Sequence, residues 1–178
     1  MGVLRKKIEA LPFGKDINLI VTSDHGMTDI SPERVVNIND YVKPEWCEVI
    51  DGRTPTSIFS KPEYRDSICN ALKKAAHIHV WKKEEIPAEL HYGSSDRIGD
   101  IVVAPELGWQ FTDVARDTKG AHGYFPQSPD MQVMFRGIGP DFKRGYISGG
   151  FVNVDIYPLL SHLLQIVPEK TDGQFERI

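Results

Sequence analysis

The chain has 178 residues, 40% of them apolar and 26% charged, ordinary proportions for a globular protein with a sizeable core. A formal net charge of −4 leaves no basic footprint, which argues against a broad nucleic-acid surface but not against a nucleotide held at a metal. Cys47 and Cys69 set no disulfide framework and are read as free thiols, with pairing to each other as the alternative. No long apolar stretch follows Met1, so no signal peptide is expected here, and no run approaches the roughly 20 residues of a membrane span.

Leu4, Ile8 and Leu11 recur at helical spacing and predict a short amphipathic helix, stopped by Pro12 and Gly14. No good N-cap precedes it, the texture expected of a piece of a longer protein. The apolar run Ile17 to Val21 predicts a buried parallel strand, followed by the loop that carries Asp24 and His25. Ser31-Pro32-Glu33 reads as a turn, Val35 to Ile38 as a short strand, and Ile38 to Tyr41 as a turn into a brief helix. A different texture runs from 47 to 109. Val49-Ile50 and Thr56 to Phe59 predict strands, and Ser60 is an expected N-cap for a helix whose face is Ile68, Ala71, Leu72 and Ala75. Ile78 to Trp81 alternates as a half-buried strand does, and Asp100 to Ala104 predicts another. This is the pattern of a small inserted α+β subdomain. Met131 to Phe135 then predicts a core strand broken by Gly137, Gly139 and Pro140. The final element is a helix from Asp155 to about Gln165, with Asp155 as N-cap and a stripe of Ile156, Leu159, Leu160, Leu163 and Leu164.

The chemistry concentrates at two places. In Ser23-Asp24-His25-Gly26-Met27 a carboxylate and an imidazole stand just past the end of a strand, where open α/β sheets build their sites. Both are ligands suited to zinc, and Gly26 lets the backbone turn beside them. In Gly120-Ala121-His122-Gly123-Tyr124 a second imidazole sits in a glycine bed. Asp24, His25 and His122 are therefore candidate metal ligands for phosphoryl chemistry. The alternative for the first pair is a helix cap and a satisfied polar residue; for His122 it is a structural histidine in a turn. His77, His79, His91 and His162 read as surface or boundary residues.

The block Asn18 to Met27 resembles the nucleotide pyrophosphatase/phosphodiesterase family of the alkaline phosphatase superfamily. So, in order, do Arg97 to Val102, Gly120 to Tyr124, Asp130 to Phe135 and Gly139 to Lys143. The resemblance implies a partial alkaline-phosphatase-like α/β fold, a mainly parallel sheet flanked by helices, with residues 47–109 as an α+β insertion. The whole chain, 1–178, would be the C-terminal portion of one catalytic domain. It implies a hydrolase acting on a nucleotide or another phosphodiester or phosphoanhydride, outside the cytoplasm: periplasmic, extracellular or at the cell surface. Two zinc ions are implied, Asp24 and His25 holding the ion that activates the nucleophile and His122 its partner. A threonine or serine would attack phosphorus and form a covalent phospho-enzyme that water releases. Asp130 is a candidate carboxylate for orienting a histidine, with a helix cap or a surface charge as alternatives.

The sequence departs from the family pattern in lacking the nucleophile and the Asp-x-x-x-His ligand pair, which the family carries upstream of the Asp-His strand. Thr22, Ser23 and Thr28 do not match the nucleophile's position. Tyr124-Phe125-Pro126 is also less polar than the usual continuation. Three ligands split between two ions complete neither site, so this chain alone is expected to bind zinc weakly or not at all and to be inactive. The resemblance leaves two other readings of the intact protein: a sibling hydrolase of phosphonates, phosphomonoesters or sulfates, or a non-catalytic binding protein of the same fold.

Overall fold

The computed structural model describes residues 1–111 and 119–178. Among the described residues there are three α-helices: α1 (Gly2–Glu9), α2 (Arg65–Leu72) and α3 (Ile156–Leu163). The strands, all short, are β1 (Leu19–Val21), β2 (Thr28–Asp29), β3 (Val35–Val36), β4 (Cys47–Gly52), β5 (Thr56–Ser60), β6 (Ile78–Lys82), β7 (Ile101–Pro105), β8 (Gln110–Phe111), β9 (Gly120–Ala121) and β10 (Arg136–Ile138). They fall into two compact units, one of Met1–Asp24 with Val133–Ile178 and one of His25–Gln132.

The second unit holds a four-stranded antiparallel sheet in the order β4-β5-β7-β6. Alternation sets its inner face. Thr56 and Ile58 on β5 lie opposite Val103 and Ile101 on β7, and all four are buried. Helix α2 covers that face with Ile68, Cys69 and Leu72. Burying each such aliphatic side chain contributes about 1.5–3 kcal/mol. Val36, Ile38, Val42 and Phe111 extend the core, and β3 and β8 pair in parallel beside it, Val35 with Gln110 and Val36 with Phe111. On the edge strand β4, Glu48 and Asp51 face solvent, charges that discourage further strand addition.

Ser60 does not cap α2. Its N–H and hydroxyl both donate to the Asp100 carboxylate, and a 3₁₀ turn, Pro62–Tyr64, leads into the helix, whose N-cap is Tyr64. Arg65 completes this polar corner. Its Nη2 donates to the Asp100 carbonyl at 3.0 Å and to Glu84 Oε2 at 2.5 Å. Cys47 and Cys69 are both free, and burial pushes both thiols above their ordinary value.

In the first unit β1 pairs with β10 antiparallel, Leu19 opposite Ile138 and Val21 opposite Arg136. A mainly parallel sheet is expected from the sequence, yet among the described residues the parallel pair is β3/β8. A short apolar run reports burial, not the direction of its partner. Gly137, expected as a breaker, lies inside β10, where the Phe142 ring covers it so closely that a Cβ would overlap the ring. Residues Met131 to Phe135, expected as a strand, are a 3₁₀ turn (Pro129–Met131) followed by irregular chain. Helix α1 forms as its periodicity predicts but buries none of its side chains. Helix α3 begins after Asp155, with Pro158 tolerated in the first turn. The Asp155 side chain, fully buried, makes no capping bond. Its Oδ1 accepts from the Gln174 N–H at 2.8 Å and from Arg177 Nη1 at 3.3 Å.

Ile58→Ala should cost about 2–5 kcal/mol, read as a lower urea midpoint in fluorescence-monitored unfolding. Arg65 holds the Glu84 carboxyl below its usual range through a hydrogen bond, and Lys82 does the same for Asp66. A depressed folded-state pKa adds stability that is present above the unfolded-state value and lost as pH falls through the folded one. Urea midpoints should therefore fall on acidification, by a small amount since both carboxylates face water, and the fall should shrink in the Glu84→Gln/Asp66→Asn double variant.

Candidate functional site

Strand β1 ends at Val21, and Thr22, Ser23 and Asp24 follow it. Asn153 Nδ2 donates to the Asp24 carbonyl at 3.1 Å, and Ser23 Oγ donates to Asp24 Oδ1 at 3.3 Å. Both side chains are solvent-accessible.

His25 is half-buried, and its Nδ1 lies 2.8 Å from the Gly26 carbonyl oxygen. A proton on Nδ1 satisfies that contact and places the ring's lone pair on Nε2. Gly26 is required here by close approach: its N–H donates to the Met131 carbonyl at 3.1 Å, and a Cβ would overlap the Asp130 carbonyl oxygen. Met27 to Ile30 then alternates exposed and buried, with Thr28 and Ile30 turned inward. Strand β2 pairs antiparallel with β9, Thr28 opposite Ala121 and Asp29 opposite Gly120, and the Ile30 N–H extends the ladder to the Lys119 carbonyl.

His122 comes directly after Ala121. The ladder therefore brings it back to His25, and the two imidazoles stack with ring centroids 3.6 Å apart and planes 13° from parallel. The loop behind His122 is held on three sides. Gly123 takes a φ of +92°, and a Cβ there would overlap the Thr54 carbonyl. The buried Tyr124 donates its hydroxyl to the Trp109 carbonyl at 2.7 Å, and burial raises its phenol above the ordinary value. Phe125 sets its ring edge-on against His79 and Trp81, 4.9 and 6.1 Å between centroids.

Asp130 lies in the 3₁₀ turn Pro129–Met131, and its Oδ2 accepts from Thr28 Oγ1 at 2.5 Å. It thus reaches the His25 loop through a threonine, a partner that sequence reasoning passed over; the alternation of Met27 to Ile30 is the signal that marks Thr28 as an inward residue. Two further histidines have partners of their own. His77 pairs with Glu106 at 2.9 Å and stacks on Trp109, and His162 stacks on Phe175. Among the described residues no group of three or more His, Cys, Asp or Glu side chains is placed to hold a metal ion.

Residues 1–125 match the family model of type I phosphodiesterase / nucleotide pyrophosphatase. The chain belongs to this family. It is similar to bovine bis(5'-adenosyl)-triphosphatase ENPP4, 34% identical over 177 residues, which covers 98% of this chain and 39% of that protein. It is also similar to the solved structure of murine ectonucleotide pyrophosphatase/phosphodiesterase 5, with a TM-score of 0.91 and 33% identity over 99% of this chain and 48% of that one. An inactive form of the murine protein solved with AMP matches with a TM-score of 0.90 and 34% identity, over 99% of this chain and 48% of that one. The fold is α/β and alkaline-phosphatase-like, as the sequence resemblance implies. The chain spans less than half the length of these relatives.

The arrangement gives two imidazoles that are pre-positioned by backbone pairing. Gly123→Ala should disturb it. Strain at a positive φ plus the overlap with Thr54 predicts a loss of about 1–3 kcal/mol, with NMR shift changes concentrated on His122 and Tyr124.

Proposed function

We propose that this chain carries part of the metal site of a zinc-dependent phosphodiesterase or nucleotide pyrophosphatase, with Asp24, His25 and His122 as its ligands. The observation that carries the reading is the stack of His25 on His122. Rings that lie face to face offer their nitrogens side by side rather than converging on one point. Their 3.6 Å separation suits two neighbouring ions, since metals in two-metal sites stand about 3.5–4 Å apart. One carboxylate and two imidazoles match zinc in donor chemistry, and the Nδ1 contact of His25 leaves Nε2 as its ligand atom. Zinc bound there would lower the pKa of an attacking oxygen and stabilise charge on phosphate oxygens.

The protein's own contribution at this stage is placement. His25 and His122 are fixed by β2 and β9, and the Gly123 turn holds the second imidazole near the first. The hydroxyl that attacks phosphorus, forming a covalent phospho-enzyme that water later cleaves, is not among the residues assigned here. Each zinc needs about four ligands, or three and a water. Three ligands shared between two ions fall short of that, which supports weak zinc binding and no useful turnover by this chain alone.

A nucleotide is the substrate class favoured, because the related murine structure was solved with AMP and the bovine relative is named for a dinucleotide. The "ecto" designation of the murine relative supports action outside the cytoplasm. Residues 47–109, which contain the whole four-stranded sheet, are proposed as the inserted subdomain of the catalytic domain.

Two measurements test this reading. The 178-residue chain with added zinc should not hydrolyse p-nitrophenyl thymidine monophosphate above background. Robust turnover abolished by His122→Ala would show that the ligand set is complete. In a full-length protein that contains this segment, metal analysis should find about two zinc per chain, and His25→Ala and His122→Ala should each lower zinc content and cut kcat/KM at least a hundredfold. Unchanged zinc in both variants would remove these histidines from the site.

A further inference from the structure

We infer that Thr28 and Asp130 form a positioning pair that sets the spacing of His25 and His122. The inference rests on the reading of those histidines as partners in one site.

Thr28 is a node. Its backbone pairs with Ala121, the residue before His122, while its side chain donates to Asp130 Oδ2 at 2.5 Å. Thr28 is buried, at 8% exposure, so its hydroxyl has little water to turn to. A hydroxyl bound to a carboxylate is a charge-assisted hydrogen bond, stronger and more directional than a neutral one. The turn that carries Asp130 makes a second attachment one residue further on: the Met131 carbonyl accepts the Gly26 N–H at 3.1 Å. The segment Gly26 to Thr28 is therefore fastened at both ends to 130–131, and His25 leads directly into it. Met131 itself packs with Ile30, Tyr124 and Ala121, which ties the same turn to the strands on either side.

These contacts make a closed loop of constraints. His25 is fixed to Gly26, Gly26 and Thr28 to the Asp130 turn, Thr28 to Ala121, and Ala121 to His122. The β2/β9 ladder is only two residues long, and so short a pairing is weakly specified in register by itself. A one-residue slip would turn Thr28 outward, break its bond to Asp130 and carry His122 away from His25. The Thr28–Asp130 bond thus penalises the slipped register. It does this without touching either imidazole.

The test uses the 178-residue chain without metal. The signature is the NOE between the His25 and His122 ring protons, together with the upfield ring-current shift that stacking produces. Both should be present in the unsubstituted chain. Asp130→Ala and Thr28→Val should each abolish the NOE and relieve the shift, while the amide spectrum of the four-stranded sheet stays as it was. Asp130→Asn keeps an acceptor for the threonine hydroxyl and should restore the signature. The Thr28→Val/Asp130→Ala double variant should lose no more than either single variant, because one bond is being removed in each case. Retention of the NOE in both single variants would overturn the inference. If Asp130→Ala does not fold, Thr28→Val decides: a folded protein without the NOE supports the pair, and one with it overturns the pair. Absence of the NOE from the unsubstituted chain is a different failure, since it removes the histidine juxtaposition itself and with it the functional reading.

Discussion

The approach of His25 to His122 depends on two backbone pairs, Thr28 with Ala121 and Asp29 with Gly120. They join segments from opposite ends of the second unit. A single antiparallel ladder of this length is marginal in water. It persists because the residues around it are committed elsewhere. Ile30, Tyr124 and Met131 bury apolar surface beside it, and Tyr124 spends its hydroxyl on the Trp109 carbonyl. The imidazole stack is a consequence of that ladder. Stacking two histidines gains little by itself, and a pair of cationic rings would repel. The backbone therefore imposes the approach, as is common where side chains are arranged for a ligand rather than for stability.

The four-stranded sheet serves this arrangement from a distance. Its inner face, Ile58, Ile101 and Val103 under α2, supplies a rigid core. Its other face presents His79 and Trp81, against which Phe125 leans. The less polar run Tyr124-Phe125-Pro126, which departs from the family's usual continuation, thus has a structural account. Two of its three residues anchor the His122 loop to the unit's interior and to the sheet.

Much of this was legible in the sequence. Strands with clear alternation or β-branched runs, such as Thr56 to Phe59 and Asp100 to Ala104, fall within a residue of where pattern places them. The pairing of His25 with His122 was legible only through resemblance, since nothing in spacing reveals which turns will meet across a sheet. The misread positions share a cause. Ser60 has the chemistry of an N-cap but is claimed by Asp100; Asp155 does stand at the N-cap of α3 as expected, though its carboxylate goes to Gln174 and Arg177. Met131 to Phe135 looks like a strand, yet the Met131 carbonyl is taken by Gly26. In each case a partner distant in sequence outbids the local preference. Gly137 is the converse: a residue that discourages strands is accepted in one because Phe142 needs the space that a side chain would fill.

The carboxylate of Asp155 is fully buried, and its second oxygen lacks a hydrogen-bond donor among the described residues. What steadies it is a mostly exposed stretch beyond α3, through the Gln174 amide and the Arg177 guanidinium. Arg177 acts as a counter-ion delivered by the chain itself. Replacing Arg177 by a neutral residue would leave this buried carboxylate with the Gln174 amide alone, so the contact from residues 174–177 doubles as a brace for the start of α3.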